Sequence, residues 1–200
     1  MSHPKTLSHL QLGQSFLETL FVLFLLALMC GMAVSSMRFL QTKIQIQTAA
    51  QDMLNAVLTA RTEALRLERR VTLCVAEGAS DLPKQCVLPS RYSSLSMPSW
   101  QQGWLMFVDD NSNGIWDPEE LLLQQSKALP SVVSATGNAT VNRFVSFGAS
   151  GRSLALNGAF QAGTLTVCQR QSQNSTGWRI VVNAVGRPRL EKLSISDCPG

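Results

Sequence analysis

The feature that most constrains this chain is an apolar run near its N-terminus. Residues 16–34 read FLETLFVLFLLALMCGMAV, and Glu18 supplies the only charge among them. A helix of this length, rising ~1.5 Å per residue, matches the hydrocarbon core of a bilayer. The run has no polar face, and a protein of 200 residues could not cover it on every side. We therefore predict a transmembrane helix at residues 14–35.

The residues that follow predict an amphipathic continuation of the same helix over residues 36–70. No proline interrupts residues 14–70, and their only glycine is Gly31. A heptad coiled coil is the alternative, but the apolar stripe covers few turns and precedes a series of strands, which favours packing on a sheet. The stripe is formed by seven apolar residues at helical spacing: Ala50, Met53, Leu54, Val57, Leu58, Ala64 and Leu65.

Short β-type runs separated by Gly, Pro, Ser and Asn fill residues 71–200 and indicate an antiparallel sheet. The predicted fold is therefore α+β, with the long N-terminal helix packed on an antiparallel β-sheet. The predicted strands are 71–75, 103–109, 121–125, 143–147, 164–168, 178–183 and 187–190.

Histidine is confined to His3 and His9, outside any predicted element. A Ser-His-Asp triad, a Cys-His pair and a histidine-bound catalytic metal are therefore excluded from the folded domain. The chain also lacks a P-loop and a dinucleotide-binding glycine pattern. We predict a structural or binding protein, not an enzyme.

Charge is unevenly distributed along the chain, although the net charge is only +4. Residues 71–120 have two basic and seven acidic side chains, a charge of −5. Residues 121–200 have eight basic and two acidic side chains, a charge of +6. A basic C-terminal portion of this kind favours a polyanionic partner.

The residues before the apolar run form a short polar leader that ends in Gly13. No small-x-small cleavage site follows the run, so an ordinary secretory signal is not indicated. Gly13, then Gln14, and Glu18 at the fifth position after the glycine resemble the class III signal of type IV pilins and type II secretion pseudopilins. The resemblance implies that a prepilin peptidase removes residues 1–13 and methylates the new N-terminus at Gln14, where this family usually has Phe.

Glu18 places a carboxylate inside the predicted membrane helix, where an ionised group is costly and is retained for a partner or a function. The resemblance implies that Glu18 pairs with the N-terminal amine of a neighbouring pilin or pseudopilin during assembly. The alternative is that it lies at the headgroup boundary without a partner. The resemblance also implies a single-pass inner-membrane protein whose C-terminal domain lies in the periplasm until the subunit enters a pilus or pseudopilus.

Four of the five cysteines lie beyond the predicted membrane segment, in a compartment that would oxidise them. Four cysteines allow three pairings. We predict the pairs Cys74–Cys86 and Cys168–Cys198, because they close local loops and tie the C-terminal tail to a strand. Cys30, within the apolar run, is expected to be unpaired.

Several segments of residues 71–200 together resemble one group of minor pilins. A tryptophan-led strand at 103–109 is followed by an Asp-, Asn- and Gly-rich turn and an acidic end at 117–120. With the segments 144–147, 151–152, 165–168, 179–182 and 186–187, this pattern is similar to the GspH/FimT group. The resemblance implies a type IV pilin-like fold and a FimT/FimU-like minor type IV pilin that takes part in pilus assembly. The alternative is a GspH-like minor pseudopilin of a type II secretion system.

The turn after the tryptophan-led strand also has the ligand spacing of a calcium loop, with glycine at the sixth position. The alternative is an Asx-rich turn that closes a hairpin without metal, because an EF-hand needs a helix on both sides and this loop follows a strand. Calcium is the only cofactor that the sequence suggests. The candidate ligands are Asp109, Asn111, Asn113, Asp117 and Glu120.

The sequence GRPR at residues 186–189 is the most specific indication of a ligand. In an extended segment Arg187 and Arg189 project to one face, where two guanidinium groups suit phosphates. The pattern resembles the DNA-contacting motif of FimT-type minor pilins, which implies binding of double-stranded DNA with little sequence preference. The alternative is that these charges and Pro188 only protect a sheet edge. Further basic residues are expected to extend the patch: Arg179 and Lys192, and also Arg143, Arg152 and Arg170 if they fold to one side.

Overall fold

The computed structural model describes residues 15–77, 85–88, 99–171 and 173–198. The chain divides into two compact units, residues 1–41 and 42–200. Helix α1 runs through Phe16–Leu67 and ends where Glu68 adopts a positive φ of 53°. The predicted leader and Gln14 lie outside the described residues.

In the first unit, helix α1 begins after Ser15, whose carbonyl accepts hydrogen bonds from the backbone N–H groups of Glu18 and Thr19 at 2.9 and 3.3 Å. Every side chain described between Ser15 and Gly31 is exposed, although most of them are Leu, Phe, Val or Met. Among the residues that the structure describes, no helix is both apolar and long enough to cross a membrane.

In the second unit, α1 buries a stripe of mostly small side chains, which lets its backbone approach the sheets closely. The stripe was predicted correctly at Ala50, Met53 and Val57, each at most 1% exposed, but not at Leu58 and Leu65. These two leucines are 39% and 46% exposed, because each lies about 100° around the helix beyond Val57 or Ala64, at the margin of the buried stripe. The buried residues of the stripe are Ile46, Ala49, Ala50, Met53, Ala56, Val57, Ala60 and Ala64.

The first antiparallel sheet is centred on β1 (Val71–Glu77). One edge of β1 pairs with β3 (Trp104–Val108), which pairs in turn with β4 (Leu122–Gln125). The start of the other edge pairs with β6 (Phe144–Phe147), and its end pairs with the two-residue strand β2 (Gln85–Cys86). A 3-10 turn at Trp100–Gln102 leads into β3.

The second antiparallel sheet has the order β5-β7-β8-β9, where the sequence had indicated only one sheet. Strand β5 (Val133–Gly137) was not predicted, whereas β7 (Gly163–Gln169) and β8 (Gln173–Val182) contain predicted segments. Strand β9 (Pro188–Asp197) forms an edge of this sheet and is longer than the predicted 187–190. A long helix packed on antiparallel sheets confirms the predicted α+β, pilin-like fold.

Both sheets and α1 share one hydrophobic core. This core contains the alanines of the helix together with Trp100, Phe147 of the first sheet, and Leu165 and Ile180 of the second. Two buried disulfides lie outside this core: Cys74–Cys86 joins β1 to β2, and Cys168–Cys198 joins β7 to the residue after β9. These are the two pairs predicted from the sequence because they close local loops. Cys30 is a free, exposed cysteine.

Candidate functional site

Strands β8 and β9 are joined by a tight turn that presents Arg187. The turn closes with a hydrogen bond from the Gly186 N–H to the Asn183 carbonyl at 2.8 Å, and Gly186 has a positive φ of 79°. Glycine adopts this left-handed conformation without strain, and it is common at this point of short hairpin loops. The Asn183 side-chain oxygen accepts the Arg187 N–H at 2.8 Å. The backbone of Arg187 is therefore fixed while its side chain is exposed.

A second turn, after β6, has the same construction. The Gly151 N–H donates to the Gly148 carbonyl at 2.8 Å, and Gly151 has a φ of 71°. Arg152 follows this glycine as Arg187 follows Gly186, and its side chain is also exposed. The Arg152 guanidinium carbon lies 4.4 Å from the ring centroid of Phe160, which is 59% exposed. Each turn thus presents one arginine directly after a left-handed glycine.

These two turns are in contact with each other. A Cβ atom on Gly186 would overlap the Gly151 carbonyl oxygen and lie 3.3 Å from the Arg152 Cα, so only glycine fits here without a shift of the backbone. The same Gly151 oxygen accepts a hydrogen bond from Nε of Arg61, on helix α1, at 3.0 Å. The Arg61 side chain and the backbone turns that carry Arg152 and Arg187 therefore meet at this carbonyl from three separate parts of the chain. We name these three arginines the arginine cluster.

The predicted basic patch is only partly assembled. Ile180 and Leu190 are opposite each other and pack in the core, so the alternating residues Arg179 and Arg189 lie on the outer face of the sheet. Lys192 is opposite Trp178 on the inner face, with its Nζ 5.9 Å from that ring centroid. The prediction that Lys192 joins the other three was therefore wrong, because successive residues of a strand alternate between its faces and Lys192 is three positions after Arg189.

Arg189 is compensated by an acidic neighbour. Its Nε lies 2.8 Å from Oε1 of Glu191, and the register places Glu191 directly opposite Arg179. The outer face of β8 and β9 therefore carries a carboxylate between two arginines. Of the three more distant basic residues, Arg152 joins the arginine cluster. The Arg143 guanidinium carbon lies 5.8 Å from the ring centroid of Phe144, on the first sheet. Arg170 lies at the opposite end of β8 from Arg187.

The loop predicted to bind calcium is organised by hydrogen bonds around Asp109, which is only 1% exposed. One carboxylate oxygen accepts from the Thr72 hydroxyl at 2.7 Å and from the Gly114 N–H at 3.1 Å. The other oxygen accepts from the Asn113 N–H at 3.0 Å. Both oxygens of Asp109 are therefore used inside the protein.

The remaining candidate ligands of this loop also bind one another. The side-chain amide nitrogens of Asn111 and Asn113 donate to one oxygen of Asp117 at 2.7 and 3.1 Å, so the two residues turn N–H groups towards it. Glu120 accepts from the backbone N–H groups of Asp110 and Asp117, and burial raises its pKa above the ordinary value of 4.5. The described residues contain no group of three or more His, Cys, Asp or Glu side chains that could hold a metal. This arrangement does not fit the oxygen cage that calcium requires.

Sequence reasoning did not identify Arg61 as part of a site. Arg61 is 90 residues from Gly151, and no local pattern relates a helical arginine to a distant turn. The only signal in the sequence is the repeated Gly-Arg pair at 151–152 and 186–187. Glu18, the predicted assembly residue, lies in the first turn of α1 and is exposed. Gly13 lies outside the described residues.

Comparison with known proteins gives one family and one fold. The sequence profile of the family described as Type II transport protein GspH matches residues 49–186. Compared by sequence, no curated protein matches the chain significantly. The structure is similar to that of the type IV minor pilin FimU from Pseudomonas aeruginosa, with 16% identity, a TM-score of 0.54, and coverage of 78% of this chain and 97% of the other.

Two further solved structures resemble the chain. A second crystal form of FimU matches with 16% identity and a TM-score of 0.51, over 76% of this chain and 99% of the other. The minor pseudopilin EpsH from the type 2 secretion system of Vibrio cholerae has 11% identity and a TM-score of 0.48, over 74% of this chain and 96% of the other. At these identities the similarity to FimU establishes a shared fold.

Proposed function

The chain belongs to the GspH family of type II transport proteins, within the GspH/FimT group of minor pilins and pseudopilins, and we propose that it is a minor pilin of a type IV pilus. In this role it is a structural subunit without catalytic activity, which assembles with major and minor pilins. It also binds double-stranded DNA through its basic C-terminal portion. The observation that carries the DNA-binding part is the exposed Arg187 at the tip of the β8–β9 hairpin, within a segment of charge +6.

The N-terminal end of the chain provides the anchor in this proposal. A prepilin peptidase cleaves between Gly13 and Gln14, Gln14 becomes the methylated N-terminus, and residues 14–35 hold the protein in the inner membrane. The exposed apolar side chains between Phe16 and Gly31 support this, because such a surface is unfavourable in water. Two buried disulfides support a periplasmic location for the remainder, since disulfides persist in oxidising compartments.

Assembly depends on Glu18 in this proposal. We expect Glu18→Ala to reduce incorporation into pili, because the charge that attracts a neighbouring N-terminal amine is removed. Glu18→Asp, which keeps the charge, should retain more incorporation. Quantitative immunoblots of sheared pili and of membranes measure both variants. Normal incorporation of the alanine variant would contradict the assembly role.

DNA binding predicts a strong dependence on salt, because contacts with phosphates release counterions. The measurement is the affinity of the full chain, in a non-ionic detergent, for a fluorescent DNA duplex of arbitrary sequence over 0.05–0.2 M salt, a range over which phosphate binding weakens by orders of magnitude. We expect Arg187→Ala to weaken binding uniformly across sequences. An affinity that changes neither with salt nor with Arg187→Ala would contradict the proposal.

A minor pseudopilin of a type II secretion system is the second candidate, and the description of the matching family favours it. Its partner would be an exported protein instead of DNA. A deletion strain distinguishes the two candidates. Loss of transformation or of pili with normal secretion supports the pilin, whereas loss of secretion alone supports the pseudopilin.

A further inference from the structure

The members of the arginine cluster differ in their surroundings from three other arginines of this domain, which have acidic partners. Among the described residues, Arg66, Arg69 and Arg189 form ion pairs with Glu63, Asp110 and Glu191. The three members of the arginine cluster form no ion pair with a described carboxylate. Each of them nevertheless makes one other contact. Arg61 donates to the Gly151 carbonyl, the Arg152 side chain lies over Phe160, and the Arg187 backbone N–H donates to the Asn183 side chain. The Gly151 carbonyl accepts a hydrogen bond from the Arg61 side chain and lies beside the backbone turns that carry Arg152 and Arg187.

The contacts that fix these arginines leave hydrogen-bond donors free to bind an anion. Arg61 uses Nε on the Gly151 carbonyl, so its two terminal nitrogens are not occupied by that bond. The Arg152 guanidinium carbon lies 4.4 Å from the Phe160 ring centroid, and this cation–π contact uses none of the five N–H donors in a conventional hydrogen bond. Arg187 is anchored only by its backbone N–H. Planar guanidinium groups with free edges suit the paired oxygens of a phosphate.

A fourth arginine adds positive charge beside the same loop. Nη2 of Arg70 donates to the Ala155 carbonyl at 3.2 Å, three residues after Arg152. Nη1 of Arg70 is buried and has no hydrogen-bond partner in the described part of the chain. Arg70 is half-buried, and a partly buried cation raises the local positive potential, because its field is screened less than that of a fully exposed one. Arg70 therefore favours an anion at the arginine cluster without contacting it.

We propose that the arginine cluster, and not the outer face of β8 and β9, is where this protein binds the phosphates of duplex DNA. Arg152 and Arg187 contact the phosphates, one from each Gly-Arg turn, and Arg61 supports them from α1. Arg189 contributes little, because Glu191 already neutralises it. This inference rests on the proposed DNA-binding function and changes which residues perform it.

An acidic surface of a neighbouring subunit is the other class of partner that an arginine cluster could bind. Duplex DNA is favoured because its phosphates form a continuous line of negative charges. Such a line can interact with many cations at once, and residues 121–200 of this protein have a charge of +6. A carboxylate on a protein surface would compensate one or two arginines and leave the remainder unpaired.

The test measures the affinity of the full chain, in a non-ionic detergent, for a fluorescent DNA duplex over a salt series. We expect Arg152→Gln and Arg187→Gln each to weaken binding about tenfold at 0.1 M salt and to reduce the salt slope by about 1. Arg66→Gln and Arg189→Gln are matched controls, since both residues are exposed and ion-paired, and they should change affinity less than about threefold. All four changes affect exposed side chains, and thermal unfolding verifies that each variant is folded.

A fifth variant tests the position of the turns without removing a charge. Gly186→Ala forces the two turns apart and should weaken DNA binding although every arginine remains. If Arg152→Gln and Gly186→Ala bind DNA normally and Arg189→Gln binds it much more weakly, the arginine cluster is not the DNA-binding site. The proposed DNA-binding function would still stand. Displacement of the duplex by poly-glutamate at equal charge concentration would overturn DNA as its ligand. Absence of salt-dependent binding by the unmodified protein would instead refute the proposed function.

Discussion

The contact between the two Gly-Arg turns can be tested by substituting glycine with alanine. Two glycines of this protein have the same positive φ of 79°: Gly186, packed against Gly151, and Gly158, which has no atom within 4 Å of the position that a Cβ would occupy. Alanine in this left-handed conformation costs about 1–2 kcal/mol, partly offset by a lower entropy of the unfolded chain. Gly158→Ala therefore measures the backbone strain alone.

Gly186→Ala adds a steric overlap to the same strain. The new methyl group would meet the carbonyl oxygen of Gly151, which is backbone and cannot rotate away. Forcing an extra methyl group into a packed contact costs about 1–3 kcal/mol. We therefore expect Gly186→Ala to lower the free energy of unfolding by about 1–3 kcal/mol more than Gly158→Ala does. The difference between the two variants isolates the contact between the turns.

Urea denaturation of residues 42–200 provides the measurement, with tryptophan fluorescence as the signal. This segment contains every buried hydrophobic residue of the described chain, from Ile46 to Cys198. A shift of the midpoint without a change of the m-value would indicate an effect on stability alone. Equal destabilisation by the two alanine variants would refute the reasoning, because it would mean that the turns separate at no cost.

Three further predictions follow from the hydrogen bonds and disulfides. In the loop-entropy model, replacing both cysteines of Cys168–Cys198 by serine should lower the free energy of unfolding by about 3.6 kcal/mol, and the same change at Cys74–Cys86 should lower it by about 2.8 kcal/mol. The difference arises because their sequence separations are 30 and 12. A reversed order of the two losses in urea denaturation would contradict this origin. Asp109→Ala should destabilise the protein by about 3 kcal/mol or more, because two backbone N–H groups and a hydroxyl lose a charged acceptor. The control Asp110→Ala removes only an exposed ion pair and should cost less than about 1 kcal/mol. Equal losses of stability in the two variants would contradict the role of Asp109 as a buried acceptor. Burial raises the pKa of Glu120 in the folded state, so stability should fall as pH rises from the ordinary value towards the raised one; Glu120→Gln should flatten this part of the pH profile, and a profile of unchanged slope would contradict it.

Features set by local pattern were predictable from the sequence. The uninterrupted helix, the two disulfide pairs and seven of the strands each depend on residues close together in the chain. Strand β5 was missed because its sequence VSATG has small and polar residues and follows Pro130, so nothing marks it as a strand before β7 pairs with it. Its burial is a consequence of the sheet, not of its own hydrophobicity.

The site was less predictable, because its residues are defined by contacts between distant segments. The assumption that Arg187 and Arg189 share one strand did not allow for the turn, since β9 begins only at Pro188. Counting alternation from Arg189 would have placed Lys192 on the other face. In contrast, the alternation of residues along a strand could not place Arg61 beside Gly151, because that contact forms only when the helix packs against the turn at Gly151.

Strand β9 is an edge strand of ten residues whose outer backbone groups could pair with another copy of the protein. In a filament the local concentration of subunits is high, and exchange of a terminal strand between neighbours is a low-cost route to misassembly. The Cys168–Cys198 bridge fastens the residue after β9 to β7 in its own subunit, although β8 separates these two strands in the sheet order. A subunit oxidised before assembly therefore cannot exchange this strand, whereas a reduced subunit has no covalent protection against domain swapping.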